Sequence, residues 1–409
     1  MNNIVSGVFY RLYLSSIIGL VIAILIEPAI GYRVVSVFYL ISVIVCIPFF
    51  CRGFLARKIS IFLFIMTFLG IVLGFLNSIY AENNIYSWLI YSALSVIYLF
   101  CFVISNNVEI DLNYIHTMVK LFAIAAIVEM SWFFLRVIIF GLNSRSNYGF
   151  SFLSPFIALY IKQSAINENM KSYLVFILSL IVVSIGALSG LRSTFVYSMF
   201  LSLLCFYIAG FQSAIRSILP VSLITIIAII LFEYDLVNVE LSNLTRSLEI
   251  IFNRFMLTLF SESGAKLDPN GGRYEEAIYA LETFKYNINS FVDVIFGKGY
   301  GFEFIDHSKD SQPTAHVHMT PVAYFVRNGV VGVAWFISIL VVSIYIVCNV
   351  VLLKSKYFDD SIKVMSIILV FWTSSSLFSG MLLNPFYWLL LGFCTRWKGF
   401  LRYYDSKKE

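Results

Sequence analysis

Residues 320–349 read TPVAYFVRNGVVGVAWFISILVVSIYIVCN and hold a single charge, Arg327. About 20 consecutive apolar residues suffice for a helix to cross the roughly 30 Å hydrocarbon core of a bilayer. A segment this long and this apolar therefore predicts a membrane-spanning helix. The rest of the chain is written the same way. Of its 409 residues 60% are hydrophobic and 12% charged, with a mean hydropathy of +0.88. Soluble domains carry about a quarter charged residues, so a water-soluble fold is excluded.

Outward from that stretch, comparable runs occur near 361–380 and 382–398 on one side. On the other lie 12–31, 34–50, 58–79, 86–104, 117–140, 148–162, 172–188, 193–210 and 217–232. That is about twelve crossings, or eleven if the short run at 148–162 does not span. The expected architecture is an all-α integral membrane protein. It has an N-terminal bundle over 1–232, one large polar loop over 233–319 and a C-terminal group over 320–409. The first apolar run has no small-residue cleavage site after it and reads as a retained helix.

Charge orients the bundle. With both termini in the cytoplasm, the inner loops hold Arg52, Arg57 and Lys58, then Lys162 and Lys171, then Arg216. Lys354, Lys356 and Lys363 follow, and the tail carries Lys398, Arg402, Lys407 and Lys408. The outer connections are poorer, with Glu82 in one and Arg145 in another. This is the positive-inside pattern, and it puts residues 233–319 on the extracytoplasmic side.

That loop contains more than half of the 23 acidic residues and three of the four histidines. Two amphipathic helices are expected in it. One has Leu241, Leu244, Leu248, Ile251, Phe255 and Leu259 at helical spacing. The other starts at Arg273 with Tyr274, Ala277, Leu281, Phe284 and Ile288 on one face. Asp268-Pro269-Asn270-Gly271-Gly272 separates them as a turn. None of the six cysteines falls in the loop, so no disulfide is expected there.

Several chemistries have no residues to carry them. There is no phosphate-binding P-loop, no dinucleotide glycine pattern and no paired-cysteine metal site. Three outward features remain. Arg192, in Leu188-Ser189-Gly190-Leu191-Arg192-Ser193-Thr194, joins two spanning helices, where a cation either meets an anion or marks a helix end by snorkelling. Arg273 follows Gly271-Gly272 at a helix start, a place that favours phosphate. Its alternative is a surface salt bridge with Glu275 or Glu276. The third is Ala315-His316-Val317-His318-Met319, where a histidine can exchange protons near neutral pH. An ordinary polar loop, or a metal site from His307, His316 and His318 with Asp306 or Asp310, are the other readings. Arg145 and Arg327 add positive charge at the outer face or anchor helix ends. Glu129 and Arg136 share one face of one helix.

In this order and on this side of the membrane, these pieces resemble the O-antigen polymerase and O-antigen ligase superfamily. The resemblance covers roughly residues 186–335. It rests on Ser189-Gly190-Leu191-Arg192-Ser193, Gly272-Arg273, Gly297-Lys298-Gly299-Tyr300-Gly301, and His318 with Gly329 and Gly332 downstream. Met319 stands where that family commonly has Asn, and Arg327 where it has an acid, so His316 and His318 both stay open as the base. The resemblance implies a GT-C-type helical fold acting on glycans carried by undecaprenyl pyrophosphate, with no cofactor, no metal and no nucleic acid partner. Arg192 and Arg273 would hold the pyrophosphate and His318 would accept the proton of an acceptor hydroxyl. The wider substrate-binding set would add Arg145, His316, Arg327 and Tyr300. The polymerase branch fits best, ahead of the ligase that transfers glycan to lipid A-core. A lipid-linked oligosaccharide flippase would need charges through the membrane centre. The expected setting is the inner membrane with a periplasmic site, and a chain-length regulator is the expected protein partner.

Overall fold

Uninterrupted apolar sequence folds as helix in lipid because only helices satisfy every backbone group within one segment. The computed structural model bears out a mostly helical chain. It describes residues 58–79, 83–107, 112–140, 152–188, 192–209, 273–305, 313–314, 317–377 and 385–406. The expected runs at 12–31, 34–50 and 217–232, the amphipathic stretch at 241–259 and the turn at 268–272 lie outside the described residues. Among those described, three helices are long and apolar enough to cross a membrane: Ile85–Val103, Glu168–Ile185 and Thr320–Leu353.

By packing, the chain divides into two compact units, residues 1–110 with 268–409, and residues 111–267. This grouping follows contact, whereas the three-part division above follows the side of the membrane. The second unit contains α3 (Leu112–Phe140), α4 (Ser154–Gln163), α5 (Glu168–Leu188) and α6 (Arg192–Ala209). Its interior is aromatic, with Phe122 against Phe156 at 4.8 Å between ring centres. The run at 148–162 yields in α4 a helix of ten residues, about 15 Å long and half of what a crossing needs. Pro155 sits in its first turn and its first six residues are buried.

In the first unit, α1 (Lys58–Ile79) and α2 (Ile85–Asn107) form a hairpin. After α7 (Arg273–Tyr286) and α8 (Phe291–Phe296) come two short paired strands, β1 (Phe304–Ile305) and β2 (Pro313–Thr314). Then follow α9 (Thr320–Val347), α10 (Asp360–Ser375), α11 (Pro385–Cys394) and α12 (Trp397–Ser406). Ile65 and Phe68 on α1, and Ile337 and Val341 on α9, turn apolar side chains outward, as helices solvated by lipid do.

The helix α9 is broken. Gly329 has φ 62° and ψ −155°, a backbone region that belongs to glycine. In a continuous helix the carbonyls of Val326 and Arg327 would accept from amides four residues on. Here they accept instead from the amides of Lys298 and Gly299, at 2.9 and 2.8 Å. The segment Gly297–Gly301 is thus inserted beside the break and replaces the hydrogen bonds lost there. It goes on to dock on α1, where the Tyr300 amide donates to Gly70 O at 3.0 Å. Gly70 lies nine residues, about 13 Å, back from the end of α1. The Asn77 and Asn83 side chains donate to Lys298 O at 2.7 and 2.9 Å. Irregular backbone is tolerated at such a depth only when protein groups satisfy it in this way.

One ion pair secures the insertion. Lys298 is fully buried, and its Nζ lies 3.0 Å from Asp293 Oδ2. Burial alone would raise the Asp293 carboxyl. The amides of Asn289 and Ser290 and the Lys298 ammonium outweigh it and hold the group below the ordinary carboxylate value. Because the folded value is the lower one, this stabilisation is present above the unfolded value near 3.8 and fades as pH falls through the folded one. Asp293→Asn removes the carboxylate paired with this buried ammonium. We expect a loss of about 3 kcal/mol at pH 7, the low end for such a break because Asp293 keeps some solvent contact. Thermal unfolding of the detergent-solubilised variant beside wild type checks this, and the gap between them should narrow as the solution is taken below pH 3.8.

Candidate functional site

The helix α7 buries only part of the face its apolar residues suggest. Tyr274, Leu281 and Ile288 are exposed, while Glu276, Ala277, Ala280 and Phe284 are buried. The reason is close packing. Two alanines let the helix approach a small core of Phe302, Phe304, Val317, Ala323 and Val326. Phe284 meets Phe325 edge-on at 5.2 Å. Glu276 lies on that stripe, one turn before Ala280, and is only 1% exposed.

A carboxylate so buried needs partners. Glu276 accepts from the His318 backbone amide at 2.6 Å, and both of its oxygens contact His318 Nδ1, at 2.8 and 2.9 Å. His318 immediately precedes Met319, the N-cap of α9. Its side chain is 36% exposed, so the dyad joins a buried anion to an imidazole that reaches the surface. The carboxylate makes Nδ1 the protonated nitrogen, which leaves Nε2 as the position that can accept a proton. It also stabilises the imidazolium once that proton arrives. From the sequence alone Glu276 is only a partner for Arg273.

Two further charges share the neighbourhood. Arg327 is buried in α9 and stands over the Tyr91 ring of α2, 4.1 Å from its centre. Tyr91 is within electrostatic reach of Arg327, Glu276 and Glu303 together. Glu303 is anchored by Ser87 Oγ at 2.6 Å and Asn84 Nδ2 at 3.3 Å. Tyr300 is buried as well. Its ring lies against Gly70 and its hydroxyl is hydrogen-bonded with Ser95, within reach of the Arg327 charge.

The expected site residues therefore divide. His318, Arg327 and Tyr300 come together in the first unit, joined by Glu276, Glu303 and Tyr91. Arg273 is the first residue of α7, three positions before Glu276, and Arg192 is the first residue of α6 in the second unit. Both are defined by backbone position. Arg145, His316, His307, Asp306 and Asp310 lie outside the described residues. Among the described residues no group of three His, Cys, Asp or Glu is disposed to hold a metal ion. Glu129 and Arg136 both lie on α3, about 10 Å apart along its axis.

Glu276 carried a signal that was available, since an acid at 276 with Ala280 and Phe284 at steps of four belongs to the stripe that packs. Its partner is 42 positions away, beyond any local pattern. Compared with known proteins, the chain matches no family model and no curated protein. Fold and site together define a helical, membrane-type protein carrying a carboxylate–histidine dyad at the foot of a broken helix.

Proposed function

We propose that this chain is an O-antigen or capsular repeat-unit polymerase, a glycosyltransferase of the inner membrane with a GT-C-type bundle. It moves a growing glycan from undecaprenyl pyrophosphate onto a lipid-linked repeat unit. The observation that carries the reading is the Glu276–His318 dyad, a general base with its tautomer set, on the loop that charge assigns to the periplasmic side. His318 Nε2 takes the proton of the acceptor hydroxyl as its oxygen forms a bond to the donor's anomeric carbon. The bond from that carbon to the pyrophosphate oxygen breaks, and the electron pair leaves with undecaprenyl pyrophosphate. Arg273, at a helix start whose free amides add to it, holds the leaving charge, and Arg192 is the second arginine that the resemblance implies for this role. Arg327, with Arg145, adds positive potential, and a chain-length regulator is the partner. Oxygen attack and departure in one displacement invert the anomeric carbon.

The test is direct. Purified protein in lipid, given undecaprenyl-pyrophosphate repeat units and a chelator, should form polymer with inverted linkages. A retained configuration overturns the single displacement, and absence of polymer overturns the reading. Deletion of the chain in cells should leave one repeat unit on the lipid A-core. A core left bare would instead indicate a ligase.

A further inference from the structure

A groove runs along α7 away from the dyad. Tyr279, Glu282, Thr283 and Tyr286 form one side, and Glu303 and Pro313 stand opposite, around a cavity of about 420 Å³. That volume is in the range of small-molecule sites, about 300–1,000 Å³. The groove neighbours the proposed catalytic centre through two of its lining elements. Tyr279 and Thr283 follow Glu276 at steps of three and seven on one helix face, so the groove begins one turn from the dyad. Glu303 both lines it and acts on Tyr91 alongside Glu276 and Arg327. Tyr286, ten residues from Glu276, lies about 15 Å along the helix.

The lining has a definite chemistry. The Tyr286 ring offers a flat apolar face with a polar edge, suited to the C–H face of a pyranose ring, beside Tyr279, which packs partly against the core. Tyr286 is 85% exposed, so its ring is not committed to the protein's own packing. The two carboxylates accept hydrogen bonds from sugar hydroxyls, amides or ammonium groups, and cannot donate any when ionised. Among the described residues around the cavity none is a lysine or arginine. We infer that this groove is the acceptor-glycan subsite, and that it takes uncharged or amino sugars and disfavours sugars bearing carboxylates. The inference rests on the glycosyltransferase reading above for the identity of its occupant.

The probe is the lipid-linked repeat unit extracted from cells lacking the chain, supplied to the full-length protein in lipid nanodiscs. Tyr286→Ala and Glu282→Gln should each raise the acceptor KM about tenfold, equivalent to 1.4 kcal/mol of binding, with kcat little changed. Tyr286→Phe keeps the ring and should recover most of the affinity. A second arm needs no turnover. Saturation transfer from protein to sugar protons is recorded with chitotetraose, its deacetylated form and tetragalacturonate. The first two should receive signal that Tyr286→Ala removes, and tetragalacturonate should receive least. If wild type polymerises but both variants keep the wild-type KM, the groove assignment falls and the polymerase reading stands. If wild type makes no polymer while Tyr286→Ala still removes sugar signal, the polymerase reading falls and the groove stands. Preference for tetragalacturonate, or neither polymer nor sugar signal, overturns the proposal.

Discussion

Replacing His318 with alanine is expected to remove polymer formation while leaving the protein folded. A positioned general base contributes about 10²- to 10⁴-fold to a rate. The imidazole is one-third exposed, but its loss takes a partner from the buried Glu276 carboxylate. Thermal unfolding of His318→Ala should come earlier than in wild type with the chain still folded, and the glycan ladder in cells should collapse to one repeat unit. Glu276→Gln separates the role of the carboxylate from its volume. The glutamine oxygen can still accept the His318 backbone amide, but its NH₂ then faces Nδ1. That contact requires Nδ1 to be the acceptor and moves the ring proton to Nε2, the nitrogen that has to receive one. The variant should fold and be nearly as inactive as His318→Ala, as expected when an imidazole is held in the wrong tautomer. A full ladder from either variant would sink the dyad as the catalytic centre.

The parts of the fold that hydropathy controls were legible. The runs at 58–79 and 86–104 correspond to α1 (Lys58–Ile79) and α2 (Ile85–Asn107), and the run at 320–349 to α9 (Thr320–Val347). Side-chain transfer into lipid depends on each residue alone, so a local reading finds it. What depends on a distant partner was not legible. The buried face of α7 keeps Ala277 and Phe284 but turns Tyr274 and Leu281 outward, because close packing at Ala277 and Ala280 sets it. Glu276 became a site residue only once the fold placed His318 against it. The spacing of His318, Gly329 and Gly332 was visible as a pattern, but its cause was not. Gly329 breaks α9 so that Gly297–Gly301 can insert, and Gly332 allows close approach to the Tyr324 carbonyl. Tyr300 likewise looked like a residue facing substrate, because its burial depends on Gly70 of another helix.

Gly329→Ala should be strongly destabilising. Two costs coincide at this position. An L-residue at φ 62° and ψ −155° is strained by roughly 1–3 kcal/mol. The added Cβ also meets the carbonyl group of Ile295 and lies 2.6 Å from the Phe296 amide nitrogen, which are backbone atoms that no rotamer change can move aside. If α9 instead straightens to relieve the strain, the carbonyls of Val326 and Arg327 turn back to their own helix. The amides of Lys298 and Gly299 are then left unpaired inside the protein, at about 1–3 kcal/mol each. Either route expels the inserted segment, and with it Tyr300 from Gly70 and the support beneath Arg327. The expected result is low accumulation in the membrane and early thermal unfolding in detergent. Val330→Ala is the control. It lies next to Gly329, its side chain is half exposed, and it should change stability by no more than about 0.5 kcal/mol. If Gly329→Ala unfolds at the wild-type temperature, the break in α9 is not what holds the inserted segment in place.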